Sequence, residues 1–106
     1  QTLPVIVMGD FNSALNRPSF VAATGETYEE TQFSIKEMLA SDELVPAVLP
    51  SNWNGRNSTF PTDKPEYKLD YMFYTHSTIE SIETQVLNDA PISSDHLPPM
   101  MKFRLK

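Results

Sequence analysis

Three short stretches of the chain hold the residues able to do chemistry. VIVMGDFNS (residues 5–13) sets Asp10 and Asn12 two positions apart directly after an apolar run. KLDYMFY (68–74) places Asp70 among apolar neighbours, and SSDHLPPMMKFRL (93–105) brings Asp95 beside His96. An aspartate bonded to an imidazole orients the ring, fixes its tautomer and stabilises the imidazolium. No G-x-S-x-G nucleophile elbow is present, and a chain without cysteine has no thiol nucleophile. The chemistry left to these side chains is hydrolysis by water, which Asp and Asn position while a cation neutralises oxyanion charge. Hard oxygen donors suit Mg2+ or Mn2+. A phosphate ester is the natural electrophile, because its hydrolysis is catalysed mostly by positioning and charge stabilisation.

Each acid also has a plain structural reading. Asp10 and Asn12 are turn formers that bond their own backbone. Asp95 and His96 could cap a turn before Pro98-Pro99. Asp70 is harder to set aside, because a carboxylate among Leu69, Tyr71, Met72 and Phe73 costs several kcal/mol to bury without a partner. Period-two alternation offers it one escape, onto a solvated face. Three coincidences in a single small chain are much less expected than any one.

The elements that must position these residues follow from the apolar pattern. Leu3 to Met8 reads as a buried strand, with Asp10 and Asn12 beyond its carboxyl end. Pro18 suits the first turn of a short helix running to about Ala23, closed by Thr24-Gly25. Ile35, Met38 and Leu39 recur at helical spacing within SIKEMLA (34–40), a helix extending back toward Glu30. Leu44 to Leu49, interrupted by Pro46, is at best an irregular edge segment. Pro50 to Lys68 is punctuated by Asn, Gly and Pro and reads as a long loop with a short strand at Ser58 to Phe60. Loops of that length in compact domains are usually functional. Strands are expected at Leu69 to Tyr74, Ile79 to Leu87 and Met100 to Leu105, with Asn88-Asp89 as a turn. Helices interleaved with strands make this a layered α/β or α+β domain, and the ends of its strands are where such domains gather functional groups.

Composition narrows the partners. The 106 residues carry a formal net charge of -6, with 40% hydrophobic and 21% charged residues, which excludes disorder or a fibrous repeat as the main organisation. An acidic chain lacks the broad basic footprint of nucleic-acid binders, although Arg17, Arg56, Lys64 and Lys68 suffice for one phosphate. Lys64 and Lys68 are the candidate substrate-binding cations. Trp53 and Phe60 are either packing residues or a stacking surface for a headgroup or base. The longest apolar run is far short of a membrane span, and no secretory signal is read. Zero cysteines exclude disulfides and thiolate metal sites.

Taken in order and at this spacing, the three stretches resemble the endonuclease/exonuclease/phosphatase superfamily, which includes apurinic endonucleases, neutral sphingomyelinases, inositol polyphosphate 5-phosphatases and deadenylases. TFPTDKP (59–65) resembles the corresponding stretch of bacterial-type phosphodiesterase or phosphatase-like members. The resemblance implies a two-sheet, four-layer α/β sandwich of which residues 1–106 supply the C-terminal half, one sheet plus flanking helices. It implies an Mg2+- or Mn2+-dependent hydrolase of phosphate esters, its substrate a small molecule, a lipid headgroup or a nucleic acid.

By the same resemblance, Asp10 orients or deprotonates the attacking water or assists the leaving group, and Asn12 bonds the phosphate. His96 contacts the phosphoryl oxygens, Asp70 orients His96, and Asp95 lies at or near the metal. Members differ over which group is the formal base. The family's principal metal-ligand glutamate, and an asparagine near the start of its domain, precede the GDFN motif. Glu26, Glu29 and Glu30 form a solvated acidic loop without that motif. Gln1 in place of an initiating Met agrees with part of a longer protein, so an N-terminal half of the same domain is the expected partner. A catalytically silent binding module of the same fold is the alternative.

Overall fold

The computed structural model of the protein describes residues 3–11, 35–53, 57–63, 67–87 and 94–106. Their strands are β1 (Ile6–Asp10), β2 (Leu44–Pro46), β3 (Asp70–Thr75), β4 (Ile79–Val86) and β5 (Pro99–Leu105). They form two antiparallel sheets, one of order β1-β3-β2 and one pairing β4 with β5. A helical segment, α1 (residues 35–39), and a 3-10 turn at Pro50–Asn52 complete an α+β arrangement.

Central β3 is the most buried strand, and alternation divides its side chains between two environments. Tyr71 and Phe73 face a core with Ile35 of α1 and Trp53, joined at its margin by Val7, Phe11, Met38, Leu39, Leu44 and Val48. The rings interlock: Trp53 meets Tyr71 at 4.8 Å, and Phe11 lies edge-on to Tyr71 at 5.7 Å. Trp53 therefore packs in the core, its indole N–H donating to the Val48 carbonyl at 2.7 Å. The helical spacing of Ile35, Met38 and Leu39 is explained by this contact. The opposite face of the β1–β3 ladder carries Asp70 and Met72 beside Asp10 and Met8, its register partners. That face is closed over β3, where Met72 is buried, and open over β1, where Met8 is 63% exposed.

Several boundaries differ from the sequence reading. β1 continues through Gly9 to Asp10 instead of stopping at Met8, because pairing with Tyr71 and Asp70 carries the ladder on. Gly9 permits this with φ of +154°, a backbone that side-chain-bearing residues rarely adopt. Asp70 opens β3 instead of lying inside it. Pro46 ends an edge strand, where a missing N–H costs nothing. The expected strand at 58–60 is reduced to one bridge between Phe60 and Tyr67. β5 begins at Pro99, one residue early. The expected helix near 18–23, the acidic loop with Glu26, Glu29 and Glu30, and the turn at Asn88-Asp89 lie outside the described residues.

Candidate active site

Antiparallel register sets Asp10, the last residue of β1, directly opposite Asp70, the first of β3. The ladder runs one step further, Phe11 N–H donating to the Leu69 carbonyl at 2.9 Å. Directly opposed residues project from the same face, so two carboxylates emerge together where a sheet alone would disfavour like charges. The third member arrives from the loop ahead of β5. His96 Nδ1 lies 2.6 Å from Asp70 Oδ2, while its Nε2 is 3.7 Å from Asp10 Oδ2 and 4.0 Å from Asp95 Oδ1. An ionised carboxylate only accepts, so Nδ1 is the donor to Asp70, and Nε2 is the nitrogen turned toward Asp10 and Asp95.

Burial is graded across this group. The Asp70 side chain is 14% exposed, that of His96 23%, that of Asp10 47% and that of Asp95 76%. The orienting bond is thus sheltered, and the working edge of the ring faces outward. Partial burial is the strongest influence on the imidazole and pulls its pKa down. The hydrogen bond to Asp70 and the charges of Asp70, Asp10 and Asp95 together outweigh it, and the pKa rises above the ordinary value. The imidazolium is therefore the favoured form over a wider pH range than in a free histidine.

Lys68 was read as a substrate cation, and the fold gives its amine another neighbour. The side chain is buried, with Nζ donating to the Asp70 carbonyl at 2.8 Å and lying 4.9 Å from the Tyr71 ring centroid. Burial lowers its pKa to about 8, against the opposing pull of Asp70. Lys68 thus braces the backbone of the strand that carries Asp70. Asn12 and Lys64 lie outside the described residues. His76 lies in the β3–β4 turn, beyond the end of β3 opposite Asp70, with its Nε2 3.0 Å from the carbonyl oxygen of Asp42 ahead of β2.

Asp10, Asp70 and His96 each offer one ligand atom within 4.8 Å of the others, the only such group found among the described residues. The two carboxylate oxygens suit a hard divalent cation that retains water. Asp95, expected at the metal, stands beside this group and not within it. Phe60 is the residue that sequence reasoning undervalued. Its ring lies 4.8 Å from the His96 ring at 47°, a contact that nothing in the local pattern around TFP announces.

No curated protein and no solved structure matches the chain. The model of the Endonuclease/Exonuclease/phosphatase family matches residues 1–96, a span that takes in Asp10, Asp70, Asp95 and His96. Oriented imidazole, opposed carboxylates and family match agree: the chain belongs to the endonuclease/exonuclease/phosphatase family, whose members are generally hydrolytic phosphoesterases dependent on divalent metal.

Proposed function

We propose that this chain carries the phosphate-handling side of a metal-dependent phosphoric ester hydrolase. The observation that carries this reading is the ring of His96, bonded at Nδ1 to Asp70 and turned at Nε2 toward Asp10. In this reading a phosphoryl oxygen takes the place in front of Nε2 and receives a hydrogen bond from the imidazolium. Asp70 keeps the ring in that orientation and compensates its charge. Asp10 accepts a proton from the water that attacks phosphorus, or delivers one to the departing ester oxygen. A P–O bond to water forms as the P–O bond to the alcohol breaks, and the leaving oxygen ends protonated. Asn12 and Lys64, which lie outside the described residues, are the further proposed phosphate contacts.

Charge bookkeeping supports a cation. Among the described residues, Asp10, Asp70 and Asp95 contribute three negative charges against at most two positive ones from His96 and Lys68, an excess of one even with both bases protonated. An anionic phosphate is repelled from such a site unless a cation joins it. Asp10 and Asp70, with Asp95 beside them, would hold Mg2+ or Mn2+. When bound, the ion would polarise a phosphoryl oxygen and offset developing negative charge.

The remaining metal ligands are proposed to come from an N-terminal half of the same domain, covalent or associated. Its docking would cover Met8, the exposed apolar residue of β1 on the face that carries Asp10. Measuring the intact mass of the native product, then hydrolysis of bis(p-nitrophenyl) phosphate with Mg2+, Mn2+ or chelator, tests both parts. Metal-dependent turnover abolished by His96→Gln is the expected result. A native protein that folds with metal, binds phosphate esters and turns none over would leave a silent binding module instead.

A further inference from the structure

Asp70 and His96 stand 26 residues apart, and their elements belong to different sheets. Neither ladder by itself sets the 2.6 Å between them. One short segment touches both sides. Thr59 is fully buried, and its hydroxyl accepts from the backbone N–H of Leu69 at 3.0 Å and of Asp70 at 3.3 Å. The adjoining backbone is bonded to Tyr67 in both directions, with Thr59 and Phe60 donating to its carbonyl and Tyr67 donating back to Phe60. Turned the other way, the Thr59 carbonyl accepts from Leu97 N–H at 2.7 Å. Thr62 donates through its N–H to the Asp95 carbonyl at 2.9 Å and through its hydroxyl to the Ser94 carbonyl at 2.8 Å. Between these bonds the Phe60 ring covers the imidazole.

We infer that residues 59–62 form a clamp that sets the Asp70–His96 pair, with Thr59 and Thr62 as positioning residues for the imidazole. The physical reason is that the segment bonds Asp70 and its preceding neighbour on one side, and residues 94, 95 and 97 around His96 on the other. Errors in either loop are therefore taken up against a common frame. The Thr59 hydroxyl is the clamp's own bond to Leu69 and Asp70, and a side-chain change can remove it. The consequence for turnover rests on the phosphoesterase reading, whereas the clamp itself is testable without substrate.

The first experiment is proton NMR of the native protein, following the low-field resonance of the His96 Nδ1 proton, assigned by its loss in His96→Gln. Thr59→Val keeps the side chain's shape and removes the acceptor, and is expected to broaden the resonance or shift it upfield. Thr59→Ser is expected to restore it. Thr62→Val, at an exposed bond, provides the test should Thr59→Val fail to fold, and is expected to shift the resonance in a chain that still melts cooperatively. An unmoved resonance in a folded Thr59→Val or Thr62→Val chain overturns the clamp.

In the native protein acting on bis(p-nitrophenyl) phosphate with Mg2+, Thr59→Val is expected to lower kcat about 10- to 100-fold with KM little changed, as misplacement of a reacting group does. If the resonance responds as described while no phosphate ester is hydrolysed, the clamp stands and the phosphoesterase reading falls. If turnover is present and neither it nor the resonance responds to Thr59→Val, the clamp falls alone.

Discussion

Two cross-strand pairs in this protein answer opposite questions. On the β4–β5 sheet Glu80 faces Arg104 in register, and the guanidinium meets the carboxylate at 2.7 Å with both side chains more than half exposed. On the β1–β3 ladder Asp10 faces Asp70, and two like charges share one face. The first pair is what sheet formation favours, and it needs nothing else. The second is what sheet formation resists, so something outside the ladder must justify it, and His96 supplies part of that at 2.6 Å. A contact of nearly the same length thus has two meanings. Where opposite charges meet in water, the contact is a small surface contribution. Where like charges are gathered under partial burial around a base, the arrangement marks a site.

The sharpest break of this comparison is chemical. His96→Gln and Asp70→Asn should each lower turnover by about 10²- to 10⁴-fold, the range of positioned acid–base groups, with far-UV circular dichroism unchanged. The same substitution at the other pair, Glu80→Gln, should leave turnover as it was. Equal losses at both places would erase the distinction.

Next in size is the core that holds β3 in place. Phe73 is fully buried among Ile35, Trp53 and Tyr71, so Phe73→Ala should cost about 3–5 kcal/mol in urea unfolding. Phe103, on β5 and 43% exposed, should cost far less when truncated.

A smaller effect concerns pH. The folded imidazole of His96 holds its proton above the ordinary value of 6.5, so its stabilising contribution is complete below that pH and fades as pH rises through the raised value. In chelator, the stability advantage of the natural chain over His96→Gln should shrink with rising pH, as read from melting temperatures at a series of pH values. A growing advantage would contradict the assigned environment.

The smallest effects test the two pairs against each other by sign. Glu80→Gln should destabilise by roughly 0.2–1 kcal/mol, less in high salt. Asp10→Asn, measured in chelator well above the imidazole's pKa, should instead stabilise slightly, because it relieves an opposed like-charge pair. Denaturant midpoints for the two variants would settle the signs. Destabilisation by both would mean that Asp10 serves the fold more than the chemistry.

Much of this was legible in the residues. The apolar runs announced β3, β4 and β5 to within one position and β1 to within three, although β1, expected to be buried, is half-buried to exposed. The spacing of Ile35, Met38 and Leu39 announced a helical face. Asp70 could be singled out because its neighbours made it costly, and the cost demanded a partner. The sequence missed that Asp10 belongs to its strand, because pairing with β3 and not local propensity extended it. It also gave no sign that Lys68 is buried. A lysine in a polar loop looks solvated until a tertiary fold buries its stem and gives its amine a carbonyl. TFP drew notice by resemblance and Phe60 read as a packing or stacking residue, but the partners of Thr59 and Phe60 around the site were hidden, since they lie 10 to 38 residues away in the chain: Leu69 and Asp70 on one side, His96 and Leu97 on the other.

By itself, then, the sequence determined which residue types stand at the ends of apolar strands, and hence the acid, amide and imidazole available for chemistry. Local patterning suffices for that, because strand burial and side-chain type are written position by position. Only the tertiary structure decided that Asp10 and Asp70 are opposed in register, that Nδ1 and not Nε2 meets Asp70, and that residues 59–62 bridge the two. Those are distances between segments far apart in the chain. They come from the packing of a common core and from hydrogen bonds between loops, and no run of neighbouring residues contains them.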